Sequence, residues 1–381
     1  MSYLALYRKY RSKTFDEIIG QKHITRSLIN QINNGEISHA YLFTGTRGTG
    51  KTSIAKIFAK AINCLNPKNG SPCNECEVCK SLNNAGSVDV FEIDAASNNR
   101  VDEIRDLREK VKYPPVNCRY KVYIIDEVHM LTDSAFNALL KTLEEPPEYV
   151  VFILATTEVQ KLPATILSRC MRFDFKLLSE KELEDHLRFI FTDSKIKFEE
   201  EALSMIARLG AGSVRDTLSV ADMCVAYSNR NVTYKSVEDA IGITNREVLK
   251  ELLINVLKGE KGEILSIIDS VANMGKNMAQ LCKDLVSFVR DVLVVATVKD
   301  SSAILKLPAS ELDSLKEIAK MADKAKLIEI LSKLSALDNE FRFTTSPRSI
   351  LEINLLNICE FEITEINELK MKVKVLESKI K

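Results

Sequence analysis

The feature that most constrains the fold of this chain is a glycine-rich octapeptide between an apolar run and a helical stretch. It reads Gly45-Thr46-Arg47-Gly48-Thr49-Gly50-Lys51-Thr52 and fits the pattern G-x-x-x-x-G-K-[ST] at every position. Glycines let such a loop wrap so that its backbone N–H groups point at a β-phosphate, with the following helix N-terminus adding positive potential. We expect Lys51 to reach the β- and γ-phosphates and the Thr52 hydroxyl to hold Mg²⁺. The alternative is a glycine-rich turn that merely joins a strand to a helix.

Apolar, β-rich runs recur along the first half of the chain, with helical stretches between them. They are Ala40–Thr44, Val88–Asp94, Lys121–Asp126, Val150–Ala155 and Arg172–Phe175. Several are nearly continuous Val, Ile, Phe and Leu, as in parallel strands buried on both faces. The alternation predicts a three-layer α/β domain with a five-stranded parallel sheet and crossover helices.

Two adjacent carboxylates, Asp126 and Glu127, stand at the end of the third apolar run. Asp126 suits the magnesium-binding role of the acidic residue that accompanies a phosphate loop. Glu127 can orient and deprotonate an attacking water, which requires a base within hydrogen-bond reach of that water. A solvated strand end is the alternative, but ATP hydrolysis needs both a phosphate loop and such an acidic pair.

Four of the nine cysteines crowd into one short loop with the spacing C-x8-C-x2-C-x2-C; they are Cys64, Cys73, Cys76 and Cys79. Four thiolates can close a tetrahedral shell around zinc and leave no open position for a substrate water. In a chain whose start lacks the apolar core of a signal peptide, such clustering favours metal over disulfides. Unliganded thiols and an iron–sulfur cluster are the alternatives. The sequence predicts a zinc module at 64–79.

Composition places the chain among soluble globular proteins, with 45% hydrophobic and 28% charged residues. Basic and acidic residues balance at 53 each, which excludes a surface covered in positive charge but permits a local patch for DNA phosphates. No apolar run reaches membrane-spanning length. We expect a cytoplasmic protein without a membrane partner.

The 381 residues exceed what one hydrophobic core normally supports, so several domains are expected. The strand signal stops after Phe175, and a capping box of Ser179 with Glu182 opens a helical stretch that breaks near 210–213. A second capping box, Thr244 with Glu247, opens another helical stretch. We predict an α/β domain at 1–177, a small helical domain at 178–242, an all-helical domain at 243–362 and a helical tail at 363–381.

With these motifs in this order, the chain closely resembles the gamma/tau clamp-loader subunits of bacterial DNA polymerase III. The likeness extends beyond the phosphate loop. It includes His39-Ala-Tyr-Leu-Phe43, the cysteine insertion, Glu92-Ile-Asp-Ala-Ala-Ser97, Asp126-Glu-Val-His-Met-Leu131, Phe136-Asn-Ala-Leu-Leu-Lys-Thr-Leu-Glu-Glu-Pro-Pro147, Ala155-Thr-Thr157 and Leu167-Ser-Arg-Cys170.

This resemblance implies an AAA+ ATPase domain, a helical lid and a collar domain that joins five subunits into a ring. It also implies an ATP-driven motor that opens a sliding clamp and loads it onto primed DNA. The implied partners are subunits of the delta and delta prime types, the sliding clamp and primer–template DNA. The chain is then part of the polymerase holoenzyme without being the subunit that polymerises.

The resemblance also assigns catalytic roles by position. Thr157, or its neighbour Thr156, matches sensor 1 at the end of its strand. Arg169 matches the arginine finger that enters the ATP site of a neighbouring subunit, where it stabilises charge in the transition state. Arg215 matches sensor 2 of the lid, which touches the γ-phosphate in its own subunit. Without the resemblance, we would interpret Arg169 as an arginine near a helix end that forms a salt bridge.

The adenine contacts are assigned in the same way. Arg11, Ile19 and Gln21 fall where the family's N-terminal segment packs on adenine. Ser12 stands where the family usually has proline, which leaves that wall of the pocket less rigid.

Two other functions compete with this interpretation. A different AAA+ machine, such as a branch-migration motor or a replication initiator, shares the phosphate loop but lacks the four-cysteine insertion followed by Ser-Arg-Cys. A nucleotide-insensitive scaffold subunit keeps the fold but lacks an intact phosphate loop or its lysine. Here Lys51, Thr52, Asp126 and Glu127 are all present.

Overall fold

The computed structural model describes residues 5–82, 88–97, 101–242, 246–298, 300–305, 307, 309–341 and 343–359. They divide into two compact units, Met1–Tyr234 and Lys235–Lys381. The predicted helical tail at 363–381 and the Thr244 of the second capping box lie outside the described residues. The predicted domain boundaries near 177 and 243 stay predictions.

A five-stranded parallel sheet forms the centre of the first unit, as the apolar runs predict. Its strands are β1 (Ala40–Thr44), β2 (Val90–Asp94), β3 (Lys121–Asp126), β4 (Val150–Thr156) and β5 (Met171–Asp174). Their spatial order is β2-β3-β4-β1-β5. The three inner strands β1, β3 and β4 are buried at nearly every position because helices cover both sheet faces. All five carboxyl ends therefore meet at one edge, where the loops carry the site.

Helices lie on both faces of this sheet. The helices of this part of the chain are α1 (Leu6–Lys9), α2 (Lys22–Asn34), α3 (Lys51–Ala61), α4 (Glu77–Ser81), α5 (Val101–Val111), α6 (Asp133–Glu144) and α7 (Ala164–Leu167), of which α1 packs against the later helix Val214–Tyr227. Ile54 and Phe58 of α3 pack with Phe43 on one face. Leu139 of α6 packs with Leu154 on the other. The predicted three-layer arrangement is confirmed.

The rest of the first unit is mainly helical. It contains α8 (Glu180–Asp193), α9 (Glu200–Leu209) and α10 (Val214–Tyr227). The predicted capping box is present, because the Ser179 side chain accepts from the backbone of Glu182 while the Glu182 side chain accepts from that of Ser179. The predicted break at 210–213 separates α9 from α10.

The expectation that strands end with Phe175 is wrong in one detail. A short parallel pair is formed by β6 (Lys197–Phe198), between α8 and α9, and β7 (Asn231–Val232), after α10. Strands of two residues are too short to show an alternating pattern, so the sequence carries no periodic signal for them.

The second unit is helical throughout its described residues. After α11 (Tyr234–Ile241) come α12 (Arg246–Lys258), α13 (Lys261–Asn273), α14 (Met278–Thr297), α15 (Ser302–Leu305), α16 (Ala309–Met321), α17 (Lys324–Phe341) and α18 (347–359). The long helix α14 supplies Leu285 and Val289 to a core that also contains Leu315 and Leu334. Among the described helices, none is long and apolar enough to cross a membrane.

Candidate nucleotide-binding site and metal centre

The glycine-rich loop runs from the carboxyl end of β1 to the first turn of α3 and uses backbone conformations that favour glycine. Gly45, Gly48 and Gly50 have φ values of +141°, +78° and +103°. A Cβ added at Gly48 would lie 2.0 Å from the Ser213 Oγ of the helical part of this unit. The glycine pattern therefore serves both the turn and a close approach to the segment that precedes α10.

Lys51, the first residue of α3, is buried inside the loop. Its Nζ donates to the carbonyl oxygens of Gly45 at 2.7 Å and Thr46 at 2.9 Å. Burial lowers the pKa of Lys51, while the nearby carboxylates of Glu127 and Asp126 oppose that shift. The ammonium thus lies where the loop wraps, in position to exchange carbonyl oxygens for phosphate oxygens.

Thr52 and Asp126 meet across the end of the sheet. The Thr52 Oγ1 donates to the Asp126 Oδ2 at 2.6 Å, although 74 positions separate the two residues along the chain. A hydroxyl and a carboxylate are oxygen ligands of the kind that Mg²⁺ prefers. This donor pair beside Lys51 fits a magnesium ion that arrives with nucleotide phosphates.

Glu127 follows β3 in a left-handed backbone conformation, with φ of 48° and ψ of 45°. That region is uncommon for residues with a side chain and often occurs at functional sites. The carboxylate accepts a hydrogen bond from the Thr157 Oγ1 at 3.1 Å and lines the same cavity as Lys51. Its place beside the phosphate loop suits a base that orients a water.

The two threonines that match sensor 1 have different surroundings. Thr156 is fully buried, and its Oγ1 lies 2.9 Å from the Nδ1 of His129. Thr157 is the one that contacts Glu127. Thr157 therefore contacts the candidate base, whereas Thr156 is buried against His129.

A cavity of about 570 Å³ adjoins these groups. Its lining comprises Tyr7, Arg8, Tyr10, Arg11, Ser12, Ile18, Ile19, Arg47, Gly48, Thr49, Gly50, Lys51, Thr52, Ser53, Asp126, Glu127, His186, Val214, Arg215 and Leu218. The volume lies within the range of small-ligand sites. Basic groups, the phosphate loop and apolar side chains thus share one concave site.

Of the three predicted adenine contacts, Arg11 and Ile19 line this cavity and Gln21 does not. The Gln21 side chain is almost fully buried, donates to the Lys176 carbonyl at 2.7 Å and accepts from its backbone N–H at 3.3 Å. The hydrogen bonds of the Gln21 side chain therefore connect the start of α2 to Lys176, which follows β5.

Several lining residues were not singled out by sequence reasoning. His186 of α8 is the clearest case, because burial lowers its pKa to about 4 and keeps the imidazole uncharged at neutral pH. Tyr7, Tyr10 and Leu218 likewise lie in stretches without a motif. No local sequence signal distinguishes these residues from ordinary helix positions.

Arg215 reaches the cavity because the start of α10 is anchored on the phosphate loop. The Val214 N–H donates to the Gly48 carbonyl at 3.1 Å, and the Ser213 side chain caps α10 by accepting from the Asp216 N–H. The Arg215 guanidinium lies 5.8 Å from the centre of the Tyr7 ring. A cation from the helical part of the unit thus joins the lining of the nucleotide cavity.

Arg169 is not among the residues that line the cavity. Its guanidinium pairs with Glu144 at 3.0 Å and donates to the Thr165 carbonyl at 2.8 Å. Both side chains of the ion pair are partly solvent-exposed. The structure therefore keeps Arg169 apart from the nucleotide cavity of its own chain.

The four predicted zinc ligands come together in space, with the Sγ atoms of Cys64, Cys73, Cys76 and Cys79 within 4.8 Å of one another. Backbone N–H groups point at three of the sulfurs: Cys73 at Cys64, Cys76 at Cys73, and Cys79 at Cys76, at 3.3 to 3.4 Å. Burial raises the pKa of Cys76, but N–H donors from Cys79 and Leu65 and neighbouring thiols outweigh it and lower the pKa to about 6.

This donor set fits a tetrahedral zinc. Zn–S bonds of about 2.3 Å place the sulfurs of a tetrahedron roughly 3.8 Å apart, which a small contraction of the cluster would reach. N–H donors to sulfur stabilise thiolates, the form that binds metal. Among the described residues, no other group of cysteine, histidine and acidic side chains comes together in this way.

Comparison with known proteins agrees with these features. Family profiles match in three segments: "DNA polymerase III, delta subunit" at 20–179, "DNA polymerase III clamp loader subunit, ATPase lid domain" at 182–230, and "DNA polymerase III subunits gamma and tau domain III" at 232–373.

Curated relatives extend this likeness over the chain. The DNA polymerase III subunit tau of Bacillus subtilis is 41% identical and matches 100% of this chain and 68% of its own length. The subunit gamma of Buchnera aphidicola is 36% identical, over 94% of this chain and 99% of its own. The tau/gamma subunit of Haemophilus influenzae is 43% identical over 80% of this chain, which spans only 44% of that longer protein. The resemblance read from the motifs is thereby confirmed, and the chain belongs to the gamma/tau subunit family of bacterial DNA polymerase III.

Proposed function

We propose that this chain is an ATP-driven motor subunit of a clamp loader, which hydrolyses ATP to open a sliding clamp and load it onto primed DNA. The observation that carries the proposal is the convergence of Lys51, Thr52, Asp126 and Glu127 on one cavity that Arg215 also lines. A scaffold subunit that does not use nucleotide would have no need of this arrangement. The chain acts as an ATPase within the polymerase holoenzyme and is not the polymerising subunit.

The residues divide the work of hydrolysis. Lys51 exchanges its two loop carbonyls for β- and γ-phosphate oxygens, and the glycine-rich backbone supplies further N–H donors. Thr52 and Asp126 would hold the Mg²⁺, which would neutralise charge on the phosphates. Glu127 accepts a proton from the attacking water, and the Thr157 hydroxyl orients its carboxylate. Arg215 contacts the γ-phosphate and so couples nucleotide state to the position of α10.

The partners are inferred from the family and from Arg169, which lies outside the nucleotide cavity of its own chain. Arg169 acts in trans, on the γ-phosphate held by the neighbouring subunit of a five-membered ring. Its place outside the cavity of its own chain supports this role, because a finger for a neighbour must be available at the surface. Subunits of the delta and delta prime types complete the ring, and the sliding clamp and primer–template DNA are its substrates.

The cysteine cluster holds a structural zinc. Its four sulfurs leave no open coordination position, so the ion takes no part in ATP chemistry. Protein purified without a chelator should contain about one zinc per monomer by elemental analysis. Removal of Cys76, as Cys76→Ser, should lower that content. A zinc-free native preparation would contradict this part of the proposal.

The test of the motor function is ATP hydrolysis by the complete clamp loader assembled with this chain. We expect turnover to rise when both clamp and primer–template DNA are added, and clamp to remain on circular primed DNA after ATP hydrolysis. Blunt duplex DNA of the same length is the control for primer recognition. Hydrolysis that ignores both clamp and DNA would favour a different AAA+ machine, and an absence of hydrolysis would favour a scaffold.

A further inference from the structure

His129 lies two residues after Glu127, in the 3₁₀ turn Val128–Met130, and none of the roles above uses it. Its side chain is only 6% exposed although it carries two polar ring nitrogens. It does not line the nucleotide cavity. A buried imidazole needs hydrogen-bond partners, and the protein groups that surround the ring show what it can hold.

Both ring nitrogens face residues at the end of β4. The Nδ1 lies 2.9 Å from the Thr156 Oγ1, and the Nε2 lies 3.3 Å from the Glu158 Oε1. The Nδ1 also lies 3.5 Å from the Glu127 Oε2, which is too long for a hydrogen bond. The ring therefore spans the two residues that flank Thr157.

The neighbours of the two ring nitrogens favour one tautomer of the neutral imidazole. An ionised carboxylate only accepts, so the Nε2 that faces Glu158 carries a proton. In the neutral ring a proton on the Nε2 leaves the Nδ1 to accept from the Thr156 hydroxyl, whose oxygen also accepts from the Glu158 N–H at 3.0 Å. His129 therefore contacts Glu158 through one ring nitrogen and Thr156 through the other.

Thr157 is held in the middle of this arrangement. Its neighbours on either side are tied to the 3₁₀ turn that follows Glu127, and its own hydroxyl donates to the Glu127 Oε2 at 3.1 Å. That hydrogen bond orients the carboxylate of Glu127. A shift at Thr156 or Glu158 would move the one hydroxyl that orients the base.

We propose that His129 is a positioning residue for Glu127: by bridging Thr156 and Glu158 it holds the Thr157 hydroxyl against the Glu127 carboxylate. This inference rests on the proposed function, since it assumes that Glu127 is the base. It predicts that loss of His129 slows the chemical step without weakening ATP binding. A merely space-filling histidine would instead affect stability and leave the rate per folded molecule unchanged.

The test compares variants of the full chain in the assembled clamp loader, by single-turnover hydrolysis and by the Kd for a fluorescent ATP analogue. His129→Ala should lower the hydrolysis rate by between about tenfold and a hundredfold, the range that a small misplacement of a catalytic group produces, with the Kd changed by less than about threefold. His129→Gln should recover much of the rate, because its amide nitrogen can donate to Glu158 and its oxygen can accept from Thr156. A normal rate for His129→Ala would overturn the proposal.

Glu158→Ala offers a second route that leaves the buried ring in place. It removes the Nε2 partner from a partly exposed position and should lower the rate with the Kd unchanged. Lys161→Ala is the matched control, because it removes the other ion pair of Glu158, at 2.9 Å, and leaves the contact with His129. If Lys161→Ala slows hydrolysis as much as Glu158→Ala, the bridge through His129 is not the cause and the proposal fails.

A double variant separates positioning from an independent effect. Thr157→Val with His129→Ala should be no slower than the worse single variant, because the first change removes the orienting hydroxyl that the second only displaces. Independent, multiplying losses would contradict the proposal. Glu127→Gln in the same assay tests the base assignment separately from the positioning role. If Glu127→Gln hydrolyses ATP normally, Glu127 is not the base. If Glu127→Gln is inactive and His129→Ala is normal, only the positioning role of His129 is wrong.

Discussion

Lys51 and Glu127 illustrate at the residue scale how neighbouring groups divide binding from chemistry. Lys51 donates to Gly45 and Thr46 inside the loop that will wrap the phosphates. Glu127 follows Asp126, one of the proposed magnesium ligands, and its carboxylate accepts a hydrogen bond from Thr157. The two side chains line the same cavity, but we expect their substitution to impair different steps, ATP binding for Lys51 and hydrolysis for Glu127.

Lys51→Ala should abolish productive ATP binding, because it removes positive charge from both the ground state and the transition state. Glu127→Gln should bind ATP normally and stall hydrolysis, because an amide cannot accept the proton of the attacking water. Equilibrium binding of a fluorescent ATP analogue and single-turnover hydrolysis separate these outcomes. Normal hydrolysis by Glu127→Gln would show that another residue is the base.

His186 supplies a residue-scale prediction on pH. Burial lowers its pKa from 6.5 to about 4, so between these values the unfolded chain binds the proton more readily than the folded chain. The contribution of His186 to the free energy of unfolding is therefore complete above pH 6.5 and is lost as the pH falls towards 4. At about 1.4 kcal/mol per pKa unit, the loss is at most about 3.5 kcal/mol.

Urea unfolding at pH 7.5, 6 and 5 should show this loss in the unmodified chain and less of it in His186→Leu, so the difference between the two should shrink or reverse at low pH. Other titrating groups affect both proteins alike. Equal pH dependence in the two proteins would mean that the imidazole is not buried uncharged.

At the scale of elements, the contact between the phosphate loop and α10 joins the sheet domain to the helices that follow it. The Val214 N–H bonds to the Gly48 carbonyl, and Ser213 caps α10 directly beside that glycine. Arg215 therefore reaches the cavity only if the loop and the helix stay together. The glycine at position 48 permits this approach because a side chain there would collide with Ser213.

Gly48→Ala should separate these two elements and weaken ATP binding by about tenfold or more, since an added Cβ lies 2.0 Å from the Ser213 Oγ. Gly35→Ala is the matched control, because Gly35 has a similar φ of +72° at the end of α2 with nothing within 4 Å of an added Cβ. Both variants carry backbone strain of roughly 1 to 2 kcal/mol in denaturant unfolding. Only Gly48→Ala should raise the Kd for ATP; an equal rise in both would attribute the effect to strain alone.

At the scale of the whole molecule, the ion pair between Arg169 and Glu144 concerns assembly. Both side chains are partly exposed, so the pair contributes on the order of 0 to 1 kcal/mol and is readily exchanged for a stronger partner. A γ-phosphate from an adjoining subunit would be such a partner. Assembly into a ring would then convert a surface arginine into part of the catalytic machinery.

Arg169→Ala should keep the ATP affinity of its own site and lose clamp- and DNA-stimulated turnover by about a thousandfold, because the charge that develops on the neighbour's phosphate is not neutralised. Mixing Arg169→Ala with Lys51→Ala subunits should restore some activity, since an intact loop on one chain can meet an intact finger on the next.

Arg172→Ala is the control for loss of an exposed arginine, because Arg172 pairs with Asp174 at 2.8 Å on the nearby strand β5. Full stimulated turnover by homogeneous Arg169→Ala rings would show that Arg169 serves only in a structural salt bridge.

The sequence alone determined what short patterns can encode. The strand runs, the phosphate loop, the Asp126–Glu127 pair, the cysteine spacing and the capping box at Ser179 each depend on residues close together in the chain. Their chemistry follows from backbone geometry and ligand type, so they predicted the sheet, the fold class and the composition of the site. The sensor and finger roles required the family resemblance, because a lone threonine or arginine has many possible uses.

Only the tertiary structure decided which distant residues meet. It brings His186 to the cavity, turns Gln21 towards Lys176, places Thr157 on Glu127 and His129 against Thr156, and pairs β6 with β7. Each of these contacts joins segments separated by many positions, and none leaves a periodic or spaced pattern in the chain. Local propensity acts over a few residues, whereas such contacts depend on how the sheet and helices of the whole unit pack together.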